Sequence, residues 1–176
     1  MFPAKDIIHV KRVIDLKIRE ANESDIPVII DLIKQLAAYE NLEDIFEATP
    51  EMYRRWGWGP DSIFKVLLVE SKGVEGPKHV GIALYYFTYS AFTGQPTLWL
   101  EDIFVSEKFR GSGIGTALLR HLAKIAVKKD CRRMEWAVLD WNEPSRRFYF
   151  GLGAQTMDGW MTFRLTSADI NRLAKE

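Results

Sequence analysis

Apolar and charged residues alternate over residues 13–19, with Ile14, Leu16 and Ile18 set against Asp15, Lys17 and Arg19. A period of two is that of a half-buried strand. Residues 22–25 then supply helix caps, and Pro27 falls in a first turn, where a missing N–H is harmless. Ile26, Ile29, Ile30, Ile33, Leu36 and Ala37 recur at helical spacing and predict a first helix. Thr49-Pro50 predicts a second helix start, running to about Trp56 and ended by Gly57, Gly59 and Pro60. Two apolar runs, residues 63–70 and 79–90, flank a polar stretch at 71–78 and read as an antiparallel pair with a loose loop.

A third strand of this group, residues 97–105, follows the Gly94-Gln95-Pro96 turn. A glycine-rich loop then leads into a helix over 116–129, with Ala117, Leu118, Leu122, Ile125 and Ala126 on one side. Residues 132–139 predict another strand, 144–150 a short helix, 159–165 a last strand and 167–175 a terminal helix. The sum is an α/β fold on a mixed, mostly antiparallel central sheet flanked by helices, with hairpins early and one β-α-β unit late. No repeat or long linker interrupts it, so residues 1–176 read as one domain, with 1–12 as an extra N-terminal segment.

Composition narrows the function classes. Lys+Arg and Asp+Glu are 24 each, so the basic excess of a nucleic-acid binder is missing. No run of 18 apolar residues exists, and charges break the first 15 residues, so neither a membrane span nor a signal peptide is expected. The single cysteine, Cys131, excludes an intramolecular disulfide and favours a reducing, cytoplasmic setting. It has no neighbouring His to activate it, so a structural thiol is expected rather than an acyl-carrying nucleophile. The three His are far apart and lack metal-ligand spacing, so no metal is expected.

The most informative stretch is Arg110-Gly111-Ser112-Gly113-Ile114-Gly115-Thr116, between a strand end and a helix start. Glycines there let successive N–H groups converge, and the helix N-terminus adds a positive dipole end, which suits a diphosphate. A Walker P-loop is not met, because Thr116 follows Gly115 with no Lys between. A dinucleotide fingerprint is not met either, because the glycines run G-x-G-x-G.

The spacing Arg110-x-x-Gly113-x-Gly115 resembles the acetyl-CoA loop of the GCN5-related N-acetyltransferase superfamily. Four further blocks look like the spermidine/spermine (diamine) N-acetyltransferases: Tyr85-Tyr86-Phe87-Thr88-Tyr89, Leu100-Glu101-Asp102-Ile103-Phe104-Val105, Trp141-Asn142-Glu143-Pro144-Ser145, and Phe148-Tyr149 followed by Gly153-Ala154. The resemblance spans about residues 16–165. It implies acetyl-CoA as cosubstrate and a small-molecule amine as acceptor, with no nucleic-acid or membrane partner. It also implies a homodimer.

Acetyl transfer to an amine needs a proton acceptor, polarisation of the thioester oxygen, and a proton for the departing thiolate. Glu101 is the candidate base or amine anchor. Its neighbour Asp102 is expected on the opposite strand face in a structural role. The resemblance assigns donor binding to backbone freed by a strand splay at Ile103, Phe104 and Val105, to Arg110 through Thr116, and to Asn142, Pro144, Ser145 and Tyr149. Tyr149 is also the expected general acid. Around the amine it places Tyr39, Glu40, Glu101, Glu135, Trp136, Ala137 and Asp158. Trp136, Asp158 and residues 49–62 depart from the family pattern, so the donor side carries over better than the acceptor side. The rival functions are acetylation of a protein or peptide amine, and acetyl-CoA binding without turnover.

Overall fold

The computed structural model describes residues 15–72 and 79–175. The start of the expected first strand, the N-terminal segment and residues 73–78 lie outside them. The chain divides into two compact units, Met1–Ala137 and Val138–Glu176.

The first unit is built on a sheet in sequential order. Strands β1 (Asp15–Glu20), β2 (Lys65–Lys72), β3 (His79–Ser90) and β4 (Gln95–Val105) pair antiparallel, and β5 (Arg133–Trp136) joins β4 in parallel. This is the mixed, mostly antiparallel sheet that the apolar runs predict. The strand expected over 132–139 is shorter, ending at Trp136.

Helix α1 (Ile26–Glu40) covers one sheet face. Asn22 caps the short 3₁₀ turn ahead of it, Pro27 occupies the first turn, and Asn41 closes the end with φ 57°. Ile26, Ile29, Leu32 and Leu36 are buried with Val66, Leu68, Ile82, Leu84 and Phe104 from the sheet. Each such side chain contributes about 1.5–3 kcal/mol by leaving water. Helix α2 (Pro50–Tyr53), capped by the Thr49 side chain, runs on into a π-helical turn at Arg54–Trp58. That turn takes the place of the helix end expected near Trp56. It sets Tyr53 and Trp58 edge-on to Phe64, with ring centroids 5.9 and 6.2 Å apart.

Helix α3 (Ile114–Lys128) packs on the opposite face through Ile114, Leu118 and Leu122. Gly81 makes this approach possible. A Cβ there would lie 3.1 Å from the Phe104 carbonyl oxygen and 3.4 Å from Ile114.

The second unit holds α4 (Glu143–Gly151) and α5 (Ser167–Leu173), each capped by a side chain, Asn142 and Thr166 respectively. The strand expected over 159–165 is not formed. Alternation gives a segment two faces, but a strand also needs a hydrogen-bonding neighbour, and this one has none among the described residues. Trp160, Met161, Phe163 and Leu165 are left exposed.

One ion-pair network ties β1, β2 and the entry to α1 together. The Arg19 guanidinium donates to both oxygens of Asp25 at 2.7 and 2.8 Å and to Glu70 at 2.7 Å. Asp25 also accepts from the Asn22 N–H at 2.8 Å. These bonds, led by the one from Arg19, hold the Asp25 carboxyl down at about 2. A depressed carboxyl adds stability that is present above its unfolded value near 4 and is lost as pH falls toward 2. Arg19→Met leaves carboxylates partly buried without this cation. Its expected cost in urea unfolding at pH 7 is about 3 kcal/mol, shrinking as pH falls through 4 toward 2. A loss below about 0.5 kcal/mol at pH 7 contradicts this account.

Candidate active site at the β4 bulge

The register between β3 and β4 slips by one residue. Asp102 stands opposite Leu84 and Leu100 opposite Tyr85, so Glu101 has no partner on β3. A bulge of this kind breaks the strict alternation of side chains. Leu84 lies in the core beneath α1, so its partner Asp102 shares that face. Tyr86, two residues on, is on the same face with its own partner Trp99. The Glu101 carboxylate turns to this face too. One of its oxygens accepts from Tyr86 Oη at 3.1 Å and Trp99 Nε1 at 2.9 Å. The alternation expected of adjacent strand residues is therefore corrected: Glu101 and Asp102 lie side by side on one face.

Their environments differ. Glu101 is exposed, held by its two donors. Asp102 is largely shielded, and burial pushes its carboxyl up to about 6, with the Glu101 and Glu40 charges adding to the rise. Tyr53 lies within the field of Asp102, and burial together with that charge raises its hydroxyl to about 12. Glu40, at the end of α1, is raised by burial. The bulge does leave a trace in the sequence, since the row Leu98, Leu100, Ile103, Val105 contains one step of three.

Beyond the bulge, β4 loses its other neighbour. Its parallel pairing with β5 covers Thr97 to Leu100 only. Backbone groups alternate in direction along a strand. The Ser106 N–H reaches Val80 on β3, so those of Ile103 and Val105 point to the open side. The Val105 carbonyl there accepts from Arg110 Nε at 3.1 Å. The Arg110 guanidinium stacks over Tyr39 at 4.3 Å and Phe104 at 5.6 Å, which joins the end of α1 to the glycine loop.

The loop itself fits a diphosphate. Gly111 and Gly113 have φ of 73° and 86°, and a Cβ on either would point into open space. Gly113 begins α3 with no side-chain cap, leaving first-turn N–H groups for a ligand. Ser112 Oγ is turned away, donating to the Phe109 carbonyl.

The first unit thus gathers Tyr39, Glu40, Glu101, Asp102, the free edge at Ile103–Val105 and the Arg110–Thr116 loop. Glu135 and Trp136 lie on β5, and Glu135 is paired with Arg133 at 2.9 Å. Ala137 follows that strand. The second unit carries Asn142, buried and accepting from the Ser145 N–H at 3.3 Å, with Pro144 in the first turn of α4. It also carries Tyr149, buried with its ring 5.4 Å from Phe148, and the exposed Asp158, which accepts from Thr156. Burial and the Asp130 charge raise the Cys131 thiol, the reverse of what a nucleophile needs. No cluster of metal-ligating residues is found, and no helix is long and apolar enough to cross a membrane, among the described residues.

The chain is similar to known proteins along most of its length. It is 38% identical to thialysine N-epsilon-acetyltransferase of Bos taurus over 89% of this chain and 96% of that protein. It is 37% identical to a human spermidine/spermine N(1)-acetyltransferase-like protein over 91% of this chain and 24% of that protein. An integron cassette protein from the mobile metagenome of V. cholerae superposes with a TM-score of 0.75 at 26% identity, covering 92% of this chain and 98% of that one. Residues 33–153 match the acetyltransferase (GNAT) family model. This chain therefore belongs to the GNAT family, and it is an N-acetyltransferase.

Proposed function

We propose that this enzyme transfers the acetyl group of acetyl-CoA to the primary amine of a small basic molecule, by direct attack in a ternary complex. The acceptor class is a lysine analogue such as thialysine, a diamine or a polyamine. One juxtaposition carries this reading. Within five residues of β4, two carboxylates share a face and the strand edge is unpaired, and the glycine loop follows directly. The names of the relatives from cow and human support the acceptor class.

In this reading the loop N–H groups of residues 111–116, with Arg110, bind the diphosphate. The Ile103 and Val105 N–H groups bind the pantetheine amide and the thioester oxygen, flanking Phe104. Asn142, Pro144 and Ser145 line the donor arm. Glu101, fixed by Tyr86 and Trp99, holds the ammonium. Tyr39, Glu40, Glu135, Trp136 and Ala137 are the acceptor-side residues of the first unit, and Asp158 is the candidate from the second. Tyr149 protonates the thiolate as it leaves, the role the family resemblance implies for it. The single cysteine fits a reducing compartment, and we place the reaction in the cytoplasm.

A panel of putrescine, spermidine, spermine, lysine, thialysine and a basic peptide, scored by thiol release from acetyl-CoA, tests the function. Turnover with a small amine is expected. Turnover with the peptide alone, or acetyl-CoA binding with no turnover on any, would overturn the reading. Gly113→Asp puts a charge and a strained side chain into the cradle and should weaken acetyl-CoA binding by at least about tenfold by calorimetry. An unchanged Kd removes the cradle assignment. Tyr149→Phe should lower kcat by about 10²–10³-fold with acetyl-CoA affinity nearly intact. A kcat within twofold of the native enzyme removes Tyr149 from the chemistry.

We also propose a homodimer. The uncovered row of Trp160, Met161, Phe163 and Leu165 supports this, because exposed apolar strips of this size mark interaction surfaces. Sedimentation at micromolar concentration should give twice the chain mass, and a monomer there contradicts it.

A further inference from the structure

One side chain ties the glycine loop to the end of α1. Arg110 ends the 3₁₀ turn after β4 and opens the loop. Its Nε donates to the Val105 carbonyl at 3.1 Å, which pins the group to the open edge of β4. The guanidinium carbon lies 4.3 Å from the centre of the Tyr39 ring and 5.6 Å from that of Phe104. The two terminal nitrogens have no hydrogen-bond partner among the described residues.

Both rings are themselves held. Phe104 belongs to the core under α1, and Tyr39 packs against that core. Tyr39 sits in the last turn of α1, which Asn41 closes in the left-handed conformation. Four residues earlier, on the same side of the helix, Gln35 Oε1 accepts from Ser106 Oγ at 3.3 Å. Helix α1 therefore rests on the junction of β4 and the loop at two points, one turn apart. The Gln35 contact uses no group of the loop. The Tyr39 contact is made by the residue that opens it.

We propose that Arg110 is a positioning residue that couples the donor and acceptor sites: a diphosphate on its terminal N–H groups fixes the guanidinium plane, and the plane fixes Tyr39 at the acceptor side. This rests on the donor and acceptor assignments proposed above. A guanidinium carries five N–H groups in one rigid plane. With Nε held by Val105, an anion on the far edge leaves that plane no freedom to turn. Charge acts in the same direction. The Arg110 cation beside Tyr39 repels an ammonium arriving there, and a diphosphate offsets that repulsion. Each substrate therefore tightens the other, and the factor is the same in both directions.

The test is a calorimetric titration of CoA, which carries the diphosphate but no acetyl group to transfer. It is run with and without a saturating small amine that turns over in the panel above. Amine should tighten CoA binding to the native protein by about fivefold or more. Arg110→Gln removes both plane and charge, and should bring that factor to within twofold of one. Tyr39→Leu should cut the factor to less than half, with the Kd for CoA alone within twofold of native. Tyr39→Phe keeps the ring and should keep the factor. A purely structural stack would instead raise the Kd for CoA alone and leave the ratio unmoved. A native factor below twofold, which needs no variant to fold, overturns the proposal, as does a native-sized factor in Arg110→Gln or Tyr39→Leu. In those cases amine turnover leaves the underlying function standing. Native enzyme silent on every small amine overturns that function, and the proposal with it.

Discussion

The site depends on how β4 is paired. On one side β4 is bonded to β3 along nearly its whole length, with a single slip at Glu101. On the other it is bonded to β5 for four residues and then released. The slip sets two acids on one face. The release leaves the Ile103 and Val105 N–H groups without a strand partner among the described residues, a costly arrangement unless water or a ligand takes them. Both effects fall within Glu101–Val105, and α3 begins nine residues later. Uniform pairing on both sides would leave no open edge here.

The acids of the first unit contrast in how their charge is met. Asp25 and Glu70 are closed off by Arg19, and the result is a strut between β1, β2 and α1. Asp102 is half-buried, and its charged neighbours are the carboxylates Glu101 and Glu40. A shielded anion among anions is unfavourable for folding.

Much of this was legible in the sequence. Alternation and turn residues located β1 to β4, and helical spacing located α1 and α3. The glycine spacing marked the loop, where Gly111 and Gly113 have positive φ. Three things were harder to read. The strand over 159–165 has the right alternation but no neighbour to bond to among the described residues, which no local pattern reveals. The π-helical turn at Arg54–Trp58 depends on Gly57 lying against the Phe64 ring, a long-range packing contact. The bulge was signalled only by the step of three from Leu100 to Ile103. Strict alternation, the more general rule, separated Glu101 from Asp102, and the register slip reunited them.

The central claim is that the free edge of β4 and the glycine loop form one donor site. Titrating isotope-labelled protein with CoA and following the backbone amide resonances tests it directly. The account predicts that Ile103 and Val105 shift together with residues 111–116, at one common affinity. Shifts confined to the loop, or centred elsewhere in the chain, would contradict it.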